Sequence, residues 1–173
     1  MNIKTKIFRR NVKYPRIEIK NFETRVILPL RYNVPADVII NKYRAVLEEK
    51  YKYINEVEKI SRNLRVVVNE NFIEDIKTYL EEFSKKLNIS YKSIVLRKMR
   101  KSWASCTKNN VLVFNKNLKF LPKELLKYVV CHEVCHLLEK KHNENFYKLL
   151  NRFYKDHIYY TKLLDAYFVL LRK

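Results

Sequence analysis

The chain contains no glycine, where an average protein carries about 7%. That absence excludes the phosphate cradles built on glycine: neither a P-loop nor a dinucleotide-binding turn can form. It also constrains the turns, which must be made with Asn, Asp and Lys. Of these, Asn tolerates left-handed backbone best. Alongside abundant Lys, Asn, Ile and Tyr, the missing glycine reads as the coding bias of an AT-rich genome and not as a functional trait.

Acidic residues are also scarce, 18 against 37 Lys and Arg, leaving a formal charge of +19. Such an excess favours polyanionic partners, nucleic acid or anionic surfaces, although a solvated basic surface shaped by coding bias has the same composition. Cysteines number three, so no disulfide framework is expected. No apolar run approaches a membrane span, and the opening MNIKTKIFRRNVK lacks the apolar core of a signal peptide. A cytoplasmic protein without a membrane partner is the expectation.

What remains is ample for a core: 173 residues, 47% apolar and 13% aromatic. Alternation over 14–30 predicts an exposed N-terminal β-hairpin turning at Asn21-Phe22-Glu23. Pro35 and Asp37 open a helix to about residue 60, with Ile39, Tyr43, Leu47, Tyr51 and Ile54 on one face and Ser61-Arg62-Asn63 breaking it. Residues 65–68 read as either a short strand or a lead-in. A second helix follows with Phe72, Ile76, Leu80 and Phe83 inward, ending at Asn88. Strands are predicted at 94–99, 103–106 and 111–114, the last after a turn at Lys108-Asn109-Asn110. Pro122 opens a third helix. Asn143 caps a fourth, through about Asp156, and a last helix covers about 158–171.

The third helix carries the chemistry. His132-Glu133-Val134-Cys135-His136 is followed by His142, so three of the four histidines fall within eleven residues. His132 and His136, four apart, project from one helical face with the bite that a tetrahedral zinc ion needs. Glu133 lies about 100° further round, within reach of water at the metal but not a ligand, as a metallopeptidase general base does. Val129, Val130, Cys131, Val134, Cys135, Leu137 and Leu138 surround these residues, which marks a buried helix. A buried Glu between two His needs a partner, and a divalent metal is the simplest. Ordinary core histidines are the bland alternative. Cys131 and Cys135 read as small buried hydrophobes.

HExxH with a third His at the eleventh position is shared by two groups. Metzincins turn toward that His with a Gly at the eighth position and have a Met downstream. Here the eighth position is Glu139, and Met1 and Met99 both precede the motif. The chain instead resembles the YgjP-like zinc metallopeptidase family, related to the SprT and WLM peptidases. The resemblance rests on Trp103-Ala104-Ser105-Cys106, similar to that family's W-G-S-C, on Asn115 and Leu118 before Pro122, and on HEVCHLLEKKHNENF ending at Phe146. It is specific from Met99 to Phe146, and VPADVIINKYRAVLEEKYKYI extends it loosely upstream. Ala104 stands where the family usually has Gly, and Ser102 where it often has Arg.

The resemblance implies Zn2+ held by His132, His136 and His142, with Glu133 as catalytic acid/base in peptide hydrolysis. It implies an α+β fold: a zincin-like single domain whose small antiparallel sheet packs on the buried metal-binding helix. Residues 1–62 would form an N-terminal part with the hairpin and first helix, and 63–173 the catalytic core. Trp103, Ser105, Tyr147 and His157 are candidates for the substrate cleft, each also readable as core or surface. A protein or peptide is the implied substrate. From Phe83 to Lys123 there is no acid against eleven Lys and Arg, which offers either solvated strand faces or a nucleic-acid track. Two alternatives follow: a peptidase acting on DNA-associated proteins, or a basic nucleic-acid-binding protein with a structural zinc.

Overall fold

The computed structural model describes residues 5–20 and 23–172, which divide into two units, Met1–Lys59 and Ile60–Lys173. The fold is α+β, and each unit has its own small sheet. No helix among the described residues is long and apolar enough to cross a membrane.

In the first unit, β2 (Arg16–Lys20) and β3 (Glu23–Pro29) form the predicted antiparallel pair. Of the predicted turn, Asn21 and Phe22 lie outside the described residues, and Glu23 already belongs to β3. The hairpin is extended by β1 (Thr5–Arg10), which runs parallel to β3 on its other edge. β3 is therefore a central strand, and Thr24, Val26, Ile27 and Leu28 are buried instead of exposed. The predicted single helix is two, α1 (Ala36–Lys42) and α2 (Arg44–Asn63). The break is at Tyr43, whose N–H bonds both the Ile39 and Ile40 carbonyls in a tightened turn. The Ser61-Arg62-Asn63 breaker is itself helical.

In the second unit, residues 65–68 form no strand and leave Val66, Val67 and Val68 exposed. Helix α3 (Phe72–Leu87) buries Ile76, Leu80 and Phe83 on one face. It ends at Asn88 in the left-handed region (φ 51°), satisfying its last carbonyls without glycine. Strands β4 (Ser93–Arg97), β5 (Ala104–Cys106) and β6 (Val111–Asn115) form a sheet in the order β4-β6-β5. The sheet is mixed and not wholly antiparallel, because β4 pairs with β6 in parallel while β5 pairs with it antiparallel. β6 lies between them, and Leu112 to Asn115 are all buried, as suits a middle strand covered on both faces.

Asn115 at the end of β6 is a clamp. Its Nδ2 donates to the Met99 and Ser102 carbonyls at 2.9 and 2.8 Å, and its Oδ1 accepts from the Met99 and Asn117 N–H groups at 3.3 and 3.1 Å. The backbone N–H of Asn115 donates to the Trp103 carbonyl at 2.8 Å. The loop between β4 and β5 is thereby fixed to β6. A 3-10 turn (Lys116–Phe120) then leads to α4 (Lys123–Leu138), α5 (Glu144–Asn151) and α6 (His157–Leu170). α4 packs against α3, α5, α6 and β5 and contributes more buried residues than any other element of this unit.

Replacing Asn115 by Ala leaves two partly buried carbonyls and two N–H groups short of a partner. The expected cost in urea unfolding is about 2–4 kcal/mol. Asn115→Asp, which keeps the shape but cannot donate, should lose a comparable amount. A loss under about 0.5 kcal/mol in both would show that the clamp is dispensable.

Candidate metal centre and cleft

α4 carries His132, Glu133 and His136, with the two histidine rings one turn apart and 4.9 Å between centroids. The third histidine arrives by a turn. α4 stops at Glu139, whose backbone is extended (φ −119°, ψ 99°), so the chain reverses here without a left-handed residue. The Glu139 carbonyl accepts a hydrogen bond from His136 Nδ1 at 2.9 Å. Asn143 then caps α5, its Oδ1 accepting from the Phe146 N–H at 2.9 Å. Lys140, between these anchors, donates to Asn110 Oδ1 at 2.7 Å and to the Thr107 carbonyl at 3.3 Å, tying the turn to the β5–β6 connection.

The result is convergence. His142 Nε2 lies 3.0 Å from His132 Nε2 and 3.1 Å from His136 Nε2. These three side chains form the one group of His, Cys, Asp or Glu among the described residues that could hold a metal ion, with ligand atoms within 4.8 Å of one another. Cys131 and Cys135 are fully buried and stay outside it. Phe146, itself fully buried, backs all three rings, with centroids 4.9, 4.5 and 4.7 Å from those of His132, His136 and His142.

Electrostatics sharpen the point. Burial, reinforced by His136 and His142, holds the His132 imidazole down to about 3, and burial also lowers His136. Both rings are neutral at pH 7. Donation from His136 Nδ1 leaves its Nε2 as a lone pair facing the cluster. Separations of 3.0 and 3.1 Å are close to the roughly 3.3 Å that two nitrogens at zinc-bond length subtend in a tetrahedron. Beside them Glu133 is only 5% exposed, its Oε2 has no hydrogen-bond partner, and burial pushes its carboxyl up to about 8. An orphaned buried carboxyl oxygen beside inward-facing imidazole lone pairs fits a divalent cation.

His132, Glu133 and His142 line a cleft of about 400 Å³ whose other walls include Lys101, Trp103, Tyr128, Thr161 and Asp165. Of the candidates read from the sequence, Trp103 lines it. The Trp103 indole is buried, donates to the Leu164 carbonyl at 3.2 Å and packs on Phe168 at 4.3 Å. Ser105 is paired with Val113 inside the sheet and is not among the cleft residues. Tyr147 sits beside the cluster, 6.2 Å from the His142 ring, and stacks on His157 at 4.9 Å. His157 is one ring further out, donating from Nδ1 to Asn151 Oδ1 at 2.9 Å.

Sequence reasoning missed Tyr128, one turn before His132 on the same face, and the α6 residues Thr161 and Asp165. The Tyr128 hydroxyl is 3.2 Å from Thr161 Oγ1 and donates to the His157 carbonyl at 3.3 Å. Helical spacing from His132 could have flagged Tyr128. Nothing local flags α6.

A family model described as YgjP-like, metallopeptidase domain, matches residues 38–167. The chain belongs to the YgjP-like metallopeptidase family. As a YgjP-like metallopeptidase it takes a protein substrate and a divalent metal. No curated protein gives a significant match. Among solved structures it is similar to the zymogen of Pyrococcus abyssi abylysin (18% identity, 57% of this chain and 96% of that one, TM-score 0.48). It is also similar to the zymogen of Methanocaldococcus jannaschii jannalysin (28%, 51% and 90%, 0.45) and to Wss1 from Saccharomyces cerevisiae (20%, 47% and 70%, 0.42).

The shifted groups give this metallopeptidase a pH signature when it is metal-free. Glu133 binds its proton more tightly folded than unfolded, so it contributes stability below about 4.5 that is lost as pH rises through about 8. His132 acts oppositely, since the unfolded chain binds more protons between about 3 and 6.5. Between about 6.5 and 8 the Glu133 effect stands alone of the two, and the melting temperature of chelator-treated protein should fall with pH there. Glu133→Gln should flatten that slope. An unchanged slope would remove Glu133 as its source.

Proposed function

We propose that this chain is a zinc-dependent, zincin-like peptidase in which His132, His136 and His142 hold the ion and Glu133 is the catalytic acid/base. One observation carries the reading: three histidine nitrogens converge beside a buried, unpartnered carboxyl on an open cleft. An all-imidazole donor set favours zinc over calcium or magnesium, and three protein ligands instead of four leave a position for substrate or water. When bound, zinc supplies Lewis acidity, acidifying water and polarising a carbonyl.

The remaining work falls to the chain. Glu133, with proton affinity raised by burial, is suited to taking a proton from the attacking water and handing it to the leaving amine. The Glu139 carbonyl holds His136 in the tautomer that presents Nε2, and Phe146 fixes the planes of the rings. Trp103 and Tyr128 give the cleft rigid walls against which a peptide can lie.

Purified protein should carry about one zinc per chain, lost in His142→Ala. Glu133→Gln should keep the zinc while cleavage of an unfolded protein falls by roughly 10²–10⁴-fold. Cleavage by Glu133→Gln at the wild-type rate would sink the mechanism.

The acid-free run from Phe83 to Lys123 favours a second reading, action on DNA-associated proteins or nucleic-acid binding around a structural zinc. Against a structural zinc stands the lack of a fourth ligand beside the three histidines among the described residues. If the run engages phosphates, log affinity for duplex DNA should fall linearly with log salt in an anisotropy titration. No binding at low ionic strength would dismiss both nucleic-acid roles.

A further inference from the structure

Beside the cleft lies a second hollow of about 430 Å³, and the two share Lys101, Trp103 and Phe168 along their common edge. Four cations, Lys98, Arg100, Lys101 and Arg172, line it, and no acidic residue does. Its floor is aromatic: Trp103 is 7% exposed, and Phe168 packs on it at 4.3 Å. The cations are solvent-facing around this apolar base.

The hollow is held in shape from two sides. Asn115 fixes the loop that carries Lys98, Arg100 and Lys101 through the Met99 and Ser102 carbonyls. From just beyond the end of α6, Arg172 Nη2 donates to the Arg100 carbonyl at 2.8 Å, and the guanidinium sits 5.3 Å from the centre of the Phe168 ring. That uses one of five guanidinium donors, so the fork retains capacity for a carboxylate. Like charges gathered on a fixed frame repel one another, and an entering anion relieves that repulsion.

We propose that this hollow is a specificity subsite that takes a carboxylate of a peptide lying in the cleft, either an Asp or Glu side chain or the C-terminus. The proposal rests on the peptidase reading for its occupant. A volume of about 430 Å³ is within the range of small-group pockets, roughly 300–1,000 Å³. A nucleic-acid strand asks instead for a groove following its backbone with aromatic faces open for base stacking. Here Trp103 is buried and packs on Phe168 at a 48° tilt, and the Arg172 guanidinium sits over Phe168, so neither ring offers an open face.

The test measures binding, which separates it from cleavage. Labelled peptides in matched pairs, Glu against Gln at each position and free acid against amide at the C-terminus, are titrated into zinc-loaded, full-length Glu133→Gln protein. One position should favour the carboxylate about tenfold, the factor carried by one charge-assisted hydrogen bond. A preference at an internal position identifies a side chain, and one between acid and amide identifies the C-terminus. Adding Lys98→Gln and Arg100→Gln should shrink the preference below about twofold. Adding Lys98→Glu and Arg100→Glu should invert it toward a Lys-bearing peptide, which a merely structural role for these residues would not produce.

Equal binding of every pair, or a preference that survives both double substitutions, overturns the subsite. So does an oligonucleotide bound through Lys98 and Arg100 while the peptide pairs bind alike. If the preference is present but wild-type protein cleaves none of the peptides, the subsite stands and the peptidase reading falls. If every pair is cleaved alike and bound alike, the subsite alone falls.

Discussion

The buried carboxyl of Glu133 is the constraint around which this structure is arranged. An acid with 5% exposure and an unpartnered oxygen is costly to hold in its charged form, by several kcal/mol in an apolar setting. Without a cation the cheaper state keeps the proton, which is the meaning of an affinity raised to about 8. Surrounding apolar residues cannot relieve this, because they are the cause. Leu126, Val129, Val130, Cys131 and Val134 on α4 are all buried, and their packing supplies stability that offsets the misplaced polar group. The proposed zinc would convert that cost into function, since a carboxyl that readily holds a proton is also one that can take and return it.

Positioning of the rings is separate from that cost and is met by different residues. Phe146 serves all three histidines as a common backing, so their planes are set by a single side chain on α5. The Glu139 carbonyl fixes one tautomer, while Asn143 and Lys140 hold the turn at two points. Asn115, at the end of the sheet's central strand, does the equivalent for the loop that brings Trp103 and the basic rim to the cleft. Both systems use polar side chains hydrogen-bonded to backbone groups or to one another, which hold the loop conformations in place.

Much of this was legible in the chain. The spacing of His132, His136 and His142, the apolar surroundings of Glu133, the Asn143 cap and the α3 periodicity are local patterns, and local patterns survive in one dimension. What was not legible depends on pairing across distance. β1 escaped notice because a parallel partner leaves no adjacent turn to announce it, and with β1 went the burial of β3. Phe146 entered only as the end of the HEVCHLLEKKHNENF stretch, because its contact with three rings exists only after the chain reverses at Glu139. The α6 wall of the cleft had no signal at all, since Thr161 and Asp165 reach it by tertiary packing alone. The acid-free run was visible as charge, but only folding gathers Lys98, Arg100 and Lys101 with Arg172 while Lys86 and Lys123 pair with acids of α3.

The missing glycine ends up shaping the site. Among the described residues, left-handed backbone occurs only at Asn88 and Asn110. A glycine at 110 would adopt φ 56° with less strain, yet it could not offer the Oδ1 that accepts Lys140 at 2.7 Å. Asparagine thus performs two tasks at one position, turning the hairpin and anchoring the segment that delivers His142. At Glu139 the reversal avoids the left-handed region altogether, with an extended residue and a capped helix start. A coding bias that removes glycine therefore need not weaken a centre of this kind. It shifts the burden of each turn from backbone freedom to side-chain hydrogen bonds, and those bonds are what hold the third histidine in place.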